Sequence, residues 1–214
     1  MDGSAFVNYR FARSPQLPPV SGGLYEYVVA ANGIFVRAKR PELEAMIWIA
    51  ATRAPLRGLS ILQPYLHPAA RVQARMTAQM FEMAYRAGGN EILFYLGMQG
   101  DAWRLGLPEQ AQGVVSVHPL NPFAGGAGTA LEVHSHHGMN AFFSKTDDKE
   151  ESAGFRVYAV IGDLERAPAI LTRVGIYGHF QEVPSTWIFD LPRGVRDGLY
   201  PADDKELQYV DVED

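Results

Sequence analysis

The chain has 214 residues, 47% of them hydrophobic and 20% charged, which is enough to bury a sizeable core and excludes wholesale disorder. Nineteen basic residues against 24 acidic ones leave a formal charge of −5, which argues against a nucleic-acid binder working through a general basic face. The absence of cysteine excludes disulfide frameworks, thiol catalysis and cysteine-ligated zinc. The longest apolar run, residues 45–51, is far short of the ~20 residues a membrane span needs. No charged-then-apolar signal segment opens the chain, so a soluble, cytoplasmic protein is expected.

Residues 1–19 mix aromatics with Pro15, Pro18 and Pro19 and read as an extended arm or edge strand. The runs 25–31 and 34–38 flank Asn32-Gly33, a hairpin signal because both central residues of a type I′ turn need φ > 0. Residues 41–51 read as a short helix, and Pro55, Gly58 and Pro64 punctuate the stretch after it, placing a boundary near residue 60. The clearest helix spans 68 to about 87: Val72, Met76, Met80, Met83 and Ala84 recur at helical spacing, Pro68 suits the first turn, and Gly88-Gly89 stops it. Its methionine stripe reads as core packing.

Strands are expected at 91–96, 102–107, 113–118, 129–136, 155–161 and 169–177. The glycine-rich stretch 124–128 lacks the lysine and the spacing of a phosphate loop and reads as a linker. The organisation predicted is a hairpin-containing extension over 1–60, a main domain over 61–190 and an acidic C-terminal tail over 191–214. Strands interleaved with a long helix make the class α/β or α+β.

The chemistry concentrates in Glu132-Val133-His134-Ser135-His136-His137, followed by Ser144 and Asp147. On a strand His134 and His136 project to one face. Two adjacent imidazoles at a strand end are poor core components and good metal ligands, and catalytic zinc takes three protein ligands plus water, often two histidines and a carboxylate. Asp147 can be that carboxylate, since the ten residues after His136 let the chain fold back. Ser144 and Asp147 also have the spacing of a capping box on a first helical turn, and the two readings are compatible. Glu132, two before His134, and Glu82 on the long helix read first as solvated or capping carboxylates; support of the ligands from behind is the second reading for Glu132. His67, His118 and His179 have no evident partner.

The string His134-x-His136-x7-Ser144-x2-Asp147 resembles the metal-binding signature of the JAMM (MPN+) metallopeptidases at every defining position. Members of that family carry a glutamate on an earlier strand, after a helix, and Glu91-Ile92-Leu93-Phe94-Tyr95-Leu96 has that setting. The resemblance covers roughly residues 62–180 and is greatest to the prokaryotic JAB branch. Two departures stand out: His137 replaces the usual proline and is expected to point away from the ligands, and Phe94 replaces the usual glycine, where it would narrow the cleft beside Glu91.

The resemblance implies a JAB/MPN-type mixed sheet flanked by helices, with Zn²⁺ held by His134, His136 and Asp147. It makes Glu91 the general base and Ser144 the hydrogen-bond donor to the oxyanion. It further implies hydrolysis of a peptide or isopeptide bond at the C-terminus of a ubiquitin-like or sulfur-carrier protein, alongside ubiquitin-activating-like and ubiquitin-conjugating-like proteins. The competing readings are a catalytically silent scaffold of the same fold and a zinc amidase acting on a small molecule. Other hydrolase classes lack their signatures: there is no Pro-Cys-x-x-Cys, no His-Glu-x-x-His and no Gly-x-Ser-x-Gly.

Overall fold

The computed structural model describes residues 6–21 and 23–200. Two mixed sheets, a long helix and a short one make an α+β fold. The first sheet is built from β1 (Val7–Phe11), β2 (Tyr25–Ala30), β3 (Gly33–Arg40), β4 (Leu43–Ala51) and β5 (Tyr65–Pro68), in that spatial order. β1 is an edge strand parallel to β2, and the other neighbours are antiparallel.

β4 corrects the helix expected over 41–51. Arg40 pairs with Leu43 across a two-residue turn in which Pro41 brings its fixed φ, and β3 then offers β4 a ladder along its whole length. Ile47, Trp48 and Ile49 suit a pleated surface better than a helix. The sheet also runs past residue 60, because β5 pairs with β4, and Pro68 closes that edge strand where no ladder N–H is needed.

The hairpin between β2 and β3 is present, but its turn residues are Ala31 and Asn32, and neither has positive φ, so the turn is not type I′. Gly33 is already the first residue of β3. A Cβ there would collide with the Ala50 carbonyl and the Trp48 indole nitrogen, so close approach, together with a φ of 154°, demands the glycine.

Helix α1 (Ala74–Arg86) starts later than its apolar periodicity predicts, because Val72 is taken by a bridge to Phe189. Its buried face is Thr77, Met80, Phe81 and Ala84, one stripe at helical spacing. Gly88 and Gly89, both at positive φ, end it.

The second sheet contains β6 (Leu93–Gln99), β7 (Ala102–Gly106), β10 (Leu131–Ser135), β11 (Phe155–Gly162), β12 (Ala169–Ile176) and β13 (His179–Val183), in the order β13-β12-β11-β10-β6-β7. Between β7 and β10 lies a small hairpin, β8 (Gln110–Gln112) and β9 (Val117–Pro119), where residues 113–118 read as one strand; Gly113 instead turns the chain, its N–H bonded to Ser116 O at 2.8 Å. The short helix α2 (Lys145–Glu150) joins β10 to β11. β13 had no counterpart among the expected strands, and its turn from β12 is Tyr177-Gly178, both at positive φ. Within the region expected to be a tail, β14 (Arg196–Asp197) pairs with the start of β12; residues 201–214 lie outside the described residues.

One core joins these parts. Val36, Leu43 and Ile47 of the first sheet and Met80, Phe81 and Ala84 of α1 pack with Leu131, Val133, Val157 and Ile161 of the second sheet. Glu132 and His134 alternate with Leu131 and Val133, so they project to the opposite face of β10, under α2 and the β8–β9 hairpin. Among the described residues no helix is long and apolar enough to cross a membrane.

Candidate metal centre

β10 is an interior strand of the second sheet, parallel to β11 and antiparallel to β6, which fixes its register on both sides. His134 is paired with Leu93 and Val160 and is 7% exposed. His136 lies just past the strand end but keeps its direction through its N–H bond to Ile161 O at 2.7 Å. The two imidazoles turn their Nε2 atoms toward each other at 3.2 Å. His136 Nδ1 sits 3.4 Å from the Asn140 carbonyl, to which it can donate, leaving the Nε2 lone pair for the cavity. That carbonyl comes close because Gly162 has no side chain; a Cβ there would meet Asn140 C at 2.6 Å and Met139 O at 2.7 Å.

Asp147 enters from α2, whose start is the capping box the spacing predicted. Ser144 Oγ accepts the Thr146 and Asp147 N–H groups at 3.2 Å each, and Asp147 Oδ2 accepts the Ser144 N–H at 2.6 Å. The other carboxylate oxygen, Oδ1, is 3.8 Å from His134 Nε2. His134, His136 and Asp147 thus offer three ligand atoms, all within 4.8 Å of one another, that could hold a metal ion.

Tetrahedral zinc with bonds of about 2.0–2.1 Å separates neighbouring donors by about 3.3–3.4 Å, so the histidine pair at 3.2 Å needs little adjustment, while the carboxylate, 3.8 Å from His134 and within 4.8 Å of both imidazoles, must move inward. Burial lowers the pKa of both imidazoles against the opposing pull of Asp147, so both are neutral near pH 7, the form that ligates. The donor chemistry therefore fits a metal ion.

Glu91 lies on the loop just before β6 rather than within the strand. Its N–H bonds Gly113 O at 2.8 Å, and its neighbour Ile92 exchanges bonds with Ser135 at 3.1 Å in both directions. This ties it to the end of β10 and sets Oε1 3.8 Å from His136 Nε2. Its side chain is almost fully buried, and burial, helped by the charge of Asp147, pushes its carboxyl up to about 7.

Leu93, His134, His136, Phe142, Ser144 and Asp147 are among the groups lining a cavity of about 400 Å³, with Glu91 beside them. Phe94 does not narrow it. Opposite Val133 on the other face of the sheet, Phe94 is wholly buried in the core, and Leu93 is the β6 residue at the cavity. His137 is off the strand at φ 36° and faces Tyr85. Glu132 lines the cavity and is held by Arg156 at 3.2 Å.

Of the remaining histidines, His67 stacks on Tyr65 and His179 pairs with the Tyr27 hydroxyl. His118, on β9, reaches Glu150 of α2 across the cavity mouth at 3.7 Å. Arg173 of β12, which touches α2, was not singled out by sequence; the available signal was one charged residue inside a wholly buried strand, AILTRVGI.

No family model and no curated protein matches the chain. A solution structure of protein DSY2949 from Desulfitobacterium hafniense is similar, with 17% sequence identity and a TM-score of 0.45 over 57% of this chain and 92% of that one.

Proposed function

We propose that the chain is a zinc-dependent metallopeptidase of the JAMM type, hydrolysing a peptide or isopeptide bond at the C-terminus of a ubiquitin-like or sulfur-carrier protein. The observation that carries this reading is the convergence of His134, His136 and Asp147 on one point with a buried carboxyl, Glu91, 3.8 Å from the nearer imidazole. Two nitrogens and one oxygen are a donor set that hydrolytic zinc shares with non-haem iron, whereas Ca²⁺ and Mg²⁺ take oxygen shells. When bound by these three residues, Zn²⁺ supplies Lewis acidity and brings the pKa of a water down to about 7.

The chain's own groups do the rest. Glu91, a buried carboxylate beside the metal ligands, takes a proton from the attacking water and hands it to the departing amine. Ser144 Oγ uses its lone pairs on the Thr146 and Asp147 N–H groups, so its own hydroxyl proton is left to donate to the substrate carbonyl oxygen as charge develops there. Leu93, Val117, Met139 and Phe142 give the cavity apolar walls, which strengthen these polar contacts by excluding water. Ubiquitin-activating-like and ubiquitin-conjugating-like proteins would supply the conjugate.

The test is mass spectrometry of fusions and isopeptide conjugates of ubiquitin-like proteins incubated with zinc-loaded protein, against a chelator-treated control. Cleavage after the terminal residue of the modifier, lost with the chelator, is expected. Intact conjugates alongside hydrolysis of small amides would replace the peptidase with an amidase.

Ser144 is not one of the three ligands, although its hydroxyl caps the turn that carries Asp147. Ser144→Ala should keep zinc, lose about 1 kcal/mol of stability with the cap, and slow hydrolysis by roughly 10²–10³. Thermal melts, elemental analysis and steady-state rates on one preparation check all three. A rate equal to wild type would take Ser144 out of the mechanism.

A further inference from the structure

Helix α2 carries Asp147 and yet buries none of its six residues. A helix that short has no backbone stability of its own and must be held by what it touches. Its first turn is fixed by the Ser144 capping box. Its other end is fixed from the sheet by Arg173, which is 4% exposed on β12.

The Arg173 guanidinium uses three nitrogens on α2 and the residue that caps its C-terminus. Nη1 donates to Asp148 Oδ1 at 2.6 Å, while Nε and Nη2 donate to Glu151 Oε2 at 2.9 and 2.7 Å. Its plane is clamped between two aromatic rings, 4.0 Å from the Phe143 centroid and 4.1 Å from that of Phe180. Phe143 directly precedes the capping Ser144, so one cation grips the chain on both sides of Asp147. Lysine has a point charge in place of the planar fork and cannot reproduce these bonds and both stacking contacts together.

We infer that Arg173 is a positioning residue for the metal centre: by holding both ends of α2 against β12, it sets where the Asp147 carboxylate stands relative to His134 and His136. The inference rests on the reading of those three residues as ligands and extends it to a residue that hydrogen-bonds Asp148 and Glu151 and reaches His134 only through its charge. Groups that orient ligands from behind are typically worth roughly 10–100-fold in metal affinity.

The experiment measures Zn²⁺ affinity of the full chain by competition with a chromophoric chelator, together with amide hydrogen exchange over residues 144–151 in metal-free protein. Three proteins are compared: wild type, Arg173→Lys, and the double variant Arg173→Gln/Glu151→Gln, which avoids leaving Glu151 buried and unpaired. Both variants should bind zinc roughly 10–100-fold more weakly, with faster exchange in 144–151 and undiminished protection in β10 and β11. A residue that only stabilised the sheet would lower Tm and leave zinc affinity as it was. Equal zinc affinity in all three proteins overturns the inference alone. A wild-type chain that binds no zinc overturns the ligand reading, and the inference falls with it.

Discussion

His134→Ala, His136→Ala and Asp147→Ala are each expected to reduce bound zinc from about one per chain to background, and hydrolysis with it. The three side chains supply every protein donor in the cluster, and a catalytic zinc site with two protein ligands has lost the chelate that holds it. The fold should survive. His134 and His136 project into the cavity, away from the Leu131 and Val133 face that packs the core, so truncation enlarges an existing cavity rather than opening a new void in the core. Asp147→Ala does remove one arm of the capping box, which costs about 1 kcal/mol and leaves the sheet untouched.

Linkage gives a readout that needs no substrate. An ion that binds only the folded state raises stability by RT ln(1 + [L]/Kd), so zinc at roughly a hundred times Kd adds about 2.7 kcal/mol to wild type. The variants should melt at the same temperature with and without zinc. Elemental analysis in non-chelating buffer showing wild-type protein free of metal would falsify the ligand assignment.

How far the sequence spoke for this site depends on the distance over which each relation acts. The His134–His136 pair follows from the two-residue period of a strand, and the Ser144–Asp147 box from one helical turn; both are local and both appear where expected. That His134, His136 and Asp147 meet is a tertiary fact: the loop length after His136 allowed it and the resemblance singled it out, but no local period required it. Residues 41–51 misled because an apolar run does not declare its period, and the strand form is chosen by the β3 ladder beside it. β13 was missed because its turn uses Tyr177 at φ 47°, a residue that carries no turn signal.

Phe94 misled for a related reason. Its effect on the cleft depended on strand parity, and Glu91, two before Leu93, already implied that Leu93 and not Phe94 faces the site. Arg173 was the least legible of all. Its partners Asp148 and Glu151 lie 25 and 22 residues away, on a helix whose docking no periodicity reveals.

Glu91→Gln is the substitution with the sharpest expected contrast: hydrolysis falling by roughly 10²–10⁴ with zinc content unchanged. The amide keeps the size of the side chain and cannot take the water's proton. Two pH dependences of opposite sense arise from the same carboxyl. As a base Glu91 must be ionised, so kcat/KM should rise with pH through its pKa, which is about 7 without an ion nearby and lower once a dication is held beside it. The metal-free protein behaves the other way. Because burial raises the folded-state pKa above the ordinary 4.5, the folded chain binds the proton more tightly than the unfolded one. The stability this confers is fully present below about 4.5 and is lost as pH climbs through about 7.

Metal-free Glu91→Gln should therefore match wild type near pH 4 and exceed it at pH 8, where only the wild type must hold a buried carboxylate beside the Asp147 charge. Denaturant melts of both proteins across that range give the difference directly. A wild type that loses nothing relative to the variant above pH 7 would show that Glu91 ionises at no cost. The carboxyl would then not be poised for proton transfer, and a rate within a few-fold of wild type in Glu91→Gln would dismiss it as the base.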